Sequence, residues 1–456
     1  MHPRNVFRVP LNFSDLSEAY PALQPYIIQL PSKGPTINFQ DIAAQRRLTE
    51  ALLHKQFKLS VSLPENRLCP PVPNRLNYVL WIEDILAASS FVSEDSRPVR
   101  GIDIGTGASA IYPLLGCRTN ATWMFVATDI DELSLKYAKM NIENNNLSDR
   151  ITLVKSDPSG PILPISSKDD IVYDFIMCNP PFYSDREEVL RSAEAKEFEP
   201  NAVCTGADVE MITPGGESAF VCRMVNESIE HGVKCRWYTS MLGKMSSLND
   251  VVKALRDKKI ENYAITEFVQ GQTRRWAIAW SFTDVHLPDS IARITNPSLQ
   301  GIMPPRNSLT HACRKVIPPE RLRSILWGII KPIDGVTVNE GSSHRMESES
   351  STSNLVIQAT ADTWSRAARR KKLISSHPVV PMDVDKVDAL AIQLICRVEI
   401  PDNPGIHHRG RDESHVVFHW MKGRNRLLFE SFASHVGRKI DTAIVAIDEE
   451  EPMSIA

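Results

Sequence analysis

One short segment places the strongest constraint on this 456-residue chain: the apolar run IVYDFIMC (171–178), which ends at Asn179-Pro180-Pro181-Phe182. An apolar run of this length is typical of a strand buried on both faces of a parallel sheet. Two successive prolines cannot continue the strand, because neither has a backbone N–H group to donate. The tetrapeptide is therefore predicted to lie at the C-terminal end of the strand, the edge at which open α/β sheets bind ligands.

The tetrapeptide combines two hydrogen-bond acceptors with an aromatic ring. Asn179 offers an amide oxygen, Pro180 a backbone carbonyl and Phe182 a flat apolar face, while the prolines hold the backbone path. These groups suit a planar ligand that carries an amine, such as adenine. The acceptors would take both N–H protons and draw the nitrogen lone pair toward an electrophilic methyl group while the ring stacks. The alternative interpretation is a plain strand end with a Pro-Pro turn.

A strand, a glycine turn and a helix are predicted from Val99 onward, in VRGIDIGTGAS. Gly105 and Gly107 follow Asp103 and let the backbone turn tightly and approach a ligand. The next strand ends in Asp129, an acid placed to accept both ribose hydroxyls of a nucleoside cofactor, or alternatively to cap a helix. Because the turn reads GTGAS and not GxGxxG, a dinucleotide site is disfavoured.

The order of the strands predicts where these motifs meet. A third strand, Ile151 to Val154, and a Pro-, Gly- and Ser-rich loop, 156–167, come before the strand that ends at Asn179. In an α/β fold with this order, the first and fourth strands are neighbours. The glycine turn and the Asn-Pro-Pro-Phe segment are therefore expected to converge on one crevice.

Two basic segments are candidates for contacts with a polyanion. Arg4 and Arg8 lie on either side of Phe7, ahead of helices predicted at Ile42–Phe57 and Leu76–Leu86. Arg274 and Arg275 are predicted at the tip between two antiparallel strands, Tyr263–Phe268 and Arg275–Phe282. The alternative for both segments is ordinary solvated charge. Residues 183–213 are predicted to be irregular, either covering a substrate or disordered.

The C-terminal third is predicted to form a small α+β domain after a linker at 341–353. Its strands are expected at Asn354–Ala359, Ala389–Val398 and His415–Trp420, and a helix at Arg426–Val436. Another helix, Trp364–Lys372, carries a run of basic side chains: Arg366, Arg369, Arg370, Lys371 and Lys372. They form either a phosphate-contacting patch or a solvated face.

Composition excludes several classes of protein. A net charge of −3 excludes a uniformly basic nucleic-acid binder, but not local basic patches. The eight cysteines show neither CxxC nor Cys/His spacing, so no zinc site or disulfide framework is predicted, and a reducing compartment, cytosol or nucleus, is expected. No leader segment or membrane-spanning apolar run is expected either.

Four motifs, GIDIGTGASAIYPLLG, VATDID, YDFIMCNPPF and MLGK, resemble the family of methyltransferase-like protein 16, which includes bacterial large-subunit ribosomal RNA adenine methyltransferases. The similarity runs from MHPRN through VPNRLNYVLWIEDIL to RRWAIAWSF, about the first 285 residues. The family transfers methyl from S-adenosylmethionine to adenine N6 in structured RNA, including U6 small nuclear RNA. The resemblance thus implies a Rossmann-like class I methyltransferase domain with a helical N-terminal extension and a small C-terminal α+β domain.

The resemblance also implies roles for individual residues. Those expected at the S-adenosylmethionine site are Arg75, Asp103, Gly105, Gly107, Ser109, Asp129 and Asn179. Those expected to hold the adenine as catalytic residues are Asn179, Pro180, Pro181 and Phe182. Those expected on RNA are Arg4, Arg8, Arg274 and Arg275. No metal is expected to take part.

Five segments are predicted along the chain: an RNA-binding extension (1–90), the methyltransferase domain (91–290), a linker and accessory segment (291–353), an α+β RNA-binding accessory domain (354–440) and an acidic tail (441–456). Two alternatives stay open for the function. NPP plus an aromatic also serves methyltransferases of protein glutamine or DNA adenine, and the chain could be an RNA-binding protein whose methyl transfer is vestigial.

Overall fold

The computed structural model describes residues 1–31, 34–90, 97–166, 170–194, 206–271, 273–340, 353–366, 368, 370, 391–401, 405–406 and 412–450. These residues form two compact units. The first comprises Met1–Ser90, the described chain up to Thr283, and Ser290–Pro304. The second comprises Asp284–Asp289 and the described chain from Pro305.

The described part of residues 1–304 contains both helices and strands. The helices are α1 (Phe13–Ala19), α2 (Ile42–Phe57), α3 (Val72–Ser90), α4 (Ile111–Thr119), α5 (Glu132–Asn144), α6 (Arg186–Glu194), α7 (Asp208–Met211), α8 (Gly216–His231), α9 (Met245–Asp257) and α10 (Asp289–Ala292). The strands are β1 (Ile27–Leu30), β2 (Gly34–Ile37), β3 (Val99–Ile104), β4 (Trp123–Asp129), β5 (Ile151–Lys155), β6 (Tyr173–Cys178), β7 (Cys235–Leu242), β8 (Tyr263–Gln270) and β9 (Thr273–Trp280). Short 3-10 helices lie at Val6–Arg8, Pro21–Tyr26, Gly232–Lys234 and Pro297–Ile302.

A seven-stranded sheet in the order β5-β4-β3-β6-β7-β9-β8 is the centre of the first unit. The first five strands in this order, β5, β4, β3, β6 and β7, are parallel to one another. Strand β9 is antiparallel to both of its neighbours, β7 and β8. The predicted neighbours β3 and β6 are adjacent, with Ile104 opposite Cys178, and the predicted pairing of β8 with β9 is confirmed. Strand order reverses at β3, so a crevice opens at the C-terminal ends of β3 and β6.

Strand β6 is buried on both faces as predicted from Phe175 onward, but it begins at Tyr173, and the predicted strand residues Ile171 and Val172 lie outside it and are exposed. Ile176 belongs to the apolar cluster under α8 and α9. Phe175 faces the other way, with its ring 4.9 Å from that of Trp123 and 5.6 Å from that of Phe125. Helices on both sides therefore keep water from the sheet and hold β6 in place.

Helix α2 has the predicted bounds because Asp41 caps its first turn, accepting hydrogen bonds from the N–H groups of Ala43 (2.8 Å) and Ala44 (3.3 Å). Helix α3 is longer than the predicted Leu76–Leu86 and buries most of its surface. The segment 183–213 differs from the prediction, since it contains α6 and α7. Tyr183 also exchanges two backbone hydrogen bonds of 2.9 Å with Met211 and Thr213. That long-range pairing has no local sequence signal.

The second unit is a five-stranded antiparallel sheet in the order β10-β16-β13-β12-β11. Its elements are β10 (Ser308–Ala312), α11 (Pro319–Ile330), β11 (Val336–Glu340), β12 (Ser353–Ala359), β13 (Leu394–Ile400), β14 (Gly405–Ile406), β15 (Asp412–Glu413), β16 (His415–Lys422) and α12 (Arg426–Glu450). Buried side chains of the two helices, such as Leu326 and Phe432, pack in one cluster with strand residues such as Ile357, Val398 and Phe418.

Several predicted bounds in this unit differ from the structure. Residues 308–340, assigned to a linker and accessory segment, supply two strands and a helix, because their apolar side chains fill the same core. Helix α12 continues to Glu450 with Ile440 and Ile444 buried, so 441–450 is helical. Of the predicted basic helix, Arg369, Lys371 and Lys372 lie outside the described residues, as do 341–352 of the predicted linker.

Within the part of the chain that the structure describes, no helix is both long and apolar enough to cross a membrane.

The aromatic cluster behind β6 requires glycine on β3. A Cβ on Gly101 would overlap the Phe175 ring. We expect Gly101→Ala to lower the free energy of unfolding by about 1–3 kcal/mol, since the ring would have to leave its rotamer. Urea denaturation measures this loss. Gly301→Ala is the control, because a Cβ there meets nothing within 4 Å. Equal stabilities of the two variants would contradict the expected clash.

Candidate active site

The register of β6 on β3 brings the two main motifs together. Because Ile104 pairs with Cys178, the glycine turn that follows β3 lies beside the Asn-Pro-Pro-Phe segment that follows β6. Pro180 is buried, whereas Asn179, Pro181 and Phe182 are half-buried. The convergence predicted from strand order is thus observed.

Arg75 orients the amide of Asn179. The guanidinium is only 6% exposed and donates from Nη1 to Asn179 Oδ1 at 3.3 Å. It also lies 5.6 Å from the centroid of the Tyr112 ring and donates weakly to Met241 Sδ at 3.9 Å. A carbonyl oxygen has two lone pairs, so Asn179 Oδ1 can still accept a hydrogen bond from a ligand amine. Sequence reasoning placed Arg75 at the cofactor site but did not identify this contact.

A buried hydroxyl pair braces the end of β6 just before Asn179. The Tyr78 and Thr239 hydroxyls lie 2.5 Å apart, and Thr239 donates to the Ile176 carbonyl at 2.8 Å. The Tyr78 hydroxyl also accepts from the N–H group of Cys178 at 3.4 Å. These bonds join β6 to α3 and β7 and so fix the strand end that presents Asn179.

A positively charged side chain lies close to the Phe182 ring. The Arg275 guanidinium lies 5.7 Å from the ring centroid, within the range of a cation–π contact. Burial lowers the pKa of Arg275, and the nearby charge of Arg75 lowers it further. Arg275 lies inside β9 and not at the hairpin tip where it was predicted, which brings it to the site.

The glycine turn is tied to Asp129 directly. Gly105 and Gly107 have φ angles of +70° and +63°, which favour glycine. The N–H group of Gly107 donates to Asp129 Oδ2 at 2.8 Å, and that of Asp131 donates to Oδ1 at 2.9 Å. Asp131, and not Asp129, caps α5, accepting from Ser134 N–H at 2.8 Å. The helix-cap interpretation of Asp129 is therefore wrong.

Asp103 is a buried acid that forms no well-aligned hydrogen bond within the described part of the chain. It is 0% exposed, and neither of its carboxylate oxygens nor the Thr106 hydroxyl forms a hydrogen bond among the described residues. Burial raises the pKa of Asp103 to about 7, and repulsion from Asp129 adds to the effect, while the nearby Thr106 hydroxyl and the Arg75 charge oppose it. An unpaired buried carboxylate is costly, which indicates a site built to receive a donor or a positive charge. A Cβ on Gly105 would meet nothing within 4 Å, so the turn also leaves space for a ligand.

Glu210 adds an acid that sequence reasoning missed. It accepts 2.9 Å hydrogen bonds from the N–H groups of Leu68 and Ala207, and its Oε1 faces Gly107. Burial raises the pKa values of both Glu210 and Asp129. Glu210 lies in the stretch predicted to be irregular, where no periodicity signals it. Ser109 is buried just after the turn, at the start of α4.

The site therefore has a mainly acidic part and a part that contains two guanidinium groups. Three acids, Asp103, Asp129 and Glu210, surround the glycine turn, and two guanidinium groups, Arg75 and Arg275, flank Asn179 and Phe182. Among the described residues, no group of three or more His, Cys, Asp or Glu side chains could hold a metal ion.

The predicted N-terminal arginines are held on the protein. Arg4 donates to Glu83 (2.7 Å), Asp84 (2.6 Å) and the Leu80 carbonyl (3.2 Å) on α3, although half of its side chain stays exposed. Arg8 is exposed and donates to the Pro3 carbonyl at 3.2 Å. The ion pairs of Arg4 leave fewer donors for a polyanion than the sequence pattern indicates.

The two predicted basic segments lie close together. The N-terminal ammonium of Met1 donates to the Val269 carbonyl at 2.8 Å, and Val269 is the cross-strand neighbour of Arg274. Arg274 is exposed and forms a 3.1 Å ion pair with Glu267. Side chains alternate along β9, so Arg274 and Arg275 point to opposite faces.

Comparison with known proteins identifies relatives along most of the chain. A family model described as RNA methyltransferase matches residues 1–284. The RNA N(6)-adenosine-methyltransferase mettl16 of Danio rerio is 41% identical over 287 residues, which cover 62% of this chain and 59% of that protein. The U6 small nuclear RNA (adenine-(43)-N(6))-methyltransferase of Schizosaccharomyces pombe is 34% identical over 415 residues, covering 91% of this chain and 97% of that protein. The chain spans only 51–59% of the length of the vertebrate relatives it matches.

Solved structures agree with these matches. The hMettl16 catalytic domain in complex with MAT2A 3′UTR hairpin 1 is 42% identical, with a TM-score of 0.57 over 62% of this chain and 96% of that one. The N-terminal domain of human METTL16 in complex with SAH is 40% identical, with a TM-score of 0.52 over 62% and 98%. The Rossmann-like fold expected of the first unit is thereby confirmed. The chain belongs to the RNA methyltransferase family.

Proposed function

We propose that the chain transfers a methyl group from S-adenosylmethionine to the N6 atom of an adenosine in structured RNA, and that U6 small nuclear RNA is its substrate. One observation carries the proposal: the Asn179 amide, oriented by Arg75, lies beside the Phe182 ring and next to the glycine turn with its unpartnered Asp103. The relative that matches over 91% of the chain carries a U6 methyltransferase name, which supports this choice of RNA.

The acidic half of the crevice fits the cofactor. S-Adenosylmethionine supplies an electrophilic methyl group when bound. Asp103 offers two free carboxylate oxygens to a positively charged group, and Asp129, already bonded to the turn, offers remaining lone pairs to ribose hydroxyls. Gly105, Gly107 and Ser109 complete the binding turn, with Arg75 and Asn179 at its border.

The Asn-Pro-Pro-Phe segment fits the amine that receives the methyl group. Asn179 Oδ1 and the Pro180 carbonyl accept hydrogen bonds from the two N6–H groups, which turns the nitrogen lone pair toward the methyl group, and Phe182 stacks on the base. The buried prolyl backbone and the Tyr78–Thr239 brace keep these acceptors in place before the substrate arrives.

The basic residues fit an RNA partner. A base inside a helix cannot reach the site, so the target adenosine must be unpaired or flipped out at a cost of a few kcal/mol. Arg8 and Arg274 are exposed on adjoining segments and are assigned to phosphate contacts together with Arg4 and Arg275. The second unit is assigned to accessory RNA binding, and a U6 substrate assigns the protein to the nucleus.

Incubation with labelled S-adenosylmethionine tests the proposal against its alternatives. Purified U6 small nuclear RNA should take up label as N6-methyladenosine. Protein glutamine or DNA adenine as the labelled product would refute the RNA assignment, and an absence of label on all three substrates would favour a vestigial enzyme.

Asn179 should matter for turnover more than for binding. We expect Asn179→Ala to lower kcat by at least about a hundredfold, because it loses an acceptor needed when the amine attacks, with RNA affinity within a few-fold of wild type. Single-turnover methylation and RNA titration measure the two effects. Near-normal methylation by this variant would refute the site assignment.

The Asp103 carboxylate should lower the stability of the ligand-free protein and strengthen cofactor binding. Its pKa of about 7 exceeds the ordinary 3.8, so the folded protein holds this proton more tightly than the unfolded chain, and the group lowers stability as pH rises from about 4 to about 7. We expect ligand-free Asp103→Asn to be more stable than wild type by roughly 3–4 kcal/mol at pH 8, with the difference vanishing toward pH 4.

Calorimetry supplies the second readout for Asp103. The same variant should bind S-adenosylmethionine at least about tenfold more weakly, through loss of the carboxylate charge. Unchanged cofactor affinity would remove Asp103 from the cofactor site.

The exposed arginines should set the salt dependence of RNA binding. Each of Arg8→Ala and Arg274→Ala is expected to reduce the slope of log affinity against log salt by about one, with cofactor affinity unchanged. Arg274→Lys is the control, since it keeps the charge and should keep the slope. An unaltered slope in both alanine variants would assign these side chains to solvent.

A further inference from the structure

Two glycines lie where separate backbone segments closely approach Phe182. A Cβ on Gly216, at the start of α8, would lie 3.6 Å from the Phe182 carbonyl oxygen and 3.5 Å from the Ser184 nitrogen. A Cβ on Gly243, just after β7, would lie only 3.0 Å from Phe182 Cδ1. The α8 terminus therefore approaches the backbone of Phe182, and the turn after β7 approaches its ring.

A single buried carboxylate joins these two turns. Glu217, the residue after Gly216, is 1% exposed. Its Oε2 accepts a hydrogen bond from Gly243 N–H at 2.7 Å, and its Oε1 accepts one from Lys244 N–H at 2.8 Å. Since each oxygen satisfies one backbone donor, the carboxylate holds both residues of the turn at once.

The same turn is linked onward to the segment after Phe182. The Lys244 ammonium forms an ion pair with Glu188 of α6 and lies 5.5 Å from the centroid of the Tyr183 ring. Glu217 also provides a favourable charge interaction to Arg275, which lies over the Phe182 ring. The turn that contacts the ring and the guanidinium that lies over it thus both interact with Glu217.

We propose that Glu217 is a positioning residue for the base that receives the methyl group: by fixing the Gly243–Lys244 turn against Phe182, it sets the ring in the orientation that receives the adenine. The inference rests on the function proposed above and assigns Glu217 no contact with substrate or cofactor. Burying a carboxylate among backbone donors is expensive, and a pair of neutral acceptors would close the turn with less desolvation. The two acceptor oxygens on one short side chain give rigidity that separate groups would not.

Fluorescence of 2-aminopurine tests this role. The RNA is U6 small nuclear RNA with 2-aminopurine in place of the methylated adenosine, so that the signal reports the base leaving its RNA stack and entering the site. In Glu217→Gln one oxygen becomes an NH2 donor facing a backbone N–H group, so the turn should loosen. We expect a largely lost fluorescence response and kcat on unmodified RNA reduced by about tenfold or more, with RNA and S-adenosylmethionine affinities within a few-fold of wild type.

Two further variants separate positioning from folding. Gly243→Ala keeps the Glu217 side chain but places a Cβ 3.0 Å from Phe182 Cδ1 and 3.2 Å from Glu217 Oε2, so it disturbs the contact between the turn and the ring and should reproduce the loss of the fluorescence response. Asp174→Asn is the matched control, because Asp174 is also a buried carboxylate that accepts from a backbone N–H group (Arg100, 2.8 Å), but at the opposite end of β6. It should lower stability while keeping the wild-type fluorescence response and kcat.

The outcomes are distinct. A wild-type response and kcat in Glu217→Gln would overturn the inference, as would an equal loss of response in Asp174→Asn, which would show a general effect of stability. A wild-type protein that neither methylates U6 small nuclear RNA nor changes 2-aminopurine fluorescence would refute the proposed function, and with it the inference.

Discussion

The pairing of β6 with β3 is the constraint on which the rest of the site depends. Ile104 opposite Cys178 sets the glycine turn and Asn179 side by side, and the two prolines end β6 at that point. A shift of one residue in this register would turn each buried side chain of β6 to the other face of the sheet. The packing above and below the sheet therefore allows only one register. The crevice follows from the same reversal of strand order.

The charges of the site are arranged at a cost to stability. Asp103 is buried with no hydrogen bond from the described residues to its carboxylate oxygens, and burial together with the nearby charge of Arg75 lowers the pKa of Arg275. Neither arrangement helps the ligand-free protein fold, because a buried charge loses its hydration. A cationic ligand beside the acids and an anionic backbone beside the guanidinium groups would each restore the missing partner. Buried charges with incomplete compensation in a crevice are typical of a binding site.

Carboxylates that accept backbone N–H groups hold the loops around this crevice. Asp129 fixes the glycine turn, Glu210 fixes Leu68 and Ala207, and Glu217 fixes the turn after β7. The backbone N–H groups of a loop do not take part in the regular hydrogen bonding of a sheet or helix, so they need acceptors from elsewhere in the chain. A carboxylate supplies two acceptor oxygens with charge-assisted strength and so sets loop geometry with a single side chain.

The sequence by itself determined the strands β3 to β6, the ends of β3 and β6, and the acceptors and ring of Asn179 to Phe182, because strand periodicity, glycine turns and Pro-Pro stops are local properties. The adjacency of β3 and β6 followed from the strand order that an α/β fold imposes. Helix α2 was also predictable, since its apolar side chains recur at helical spacing. The contacts of Arg75 with Asn179, of Glu217 with Gly243, and of Arg4 with α3 were not predictable, nor was the place of 308–340 in the second sheet. Each of these joins residues far apart in the chain, and only tertiary packing decides which distant donor meets which acceptor.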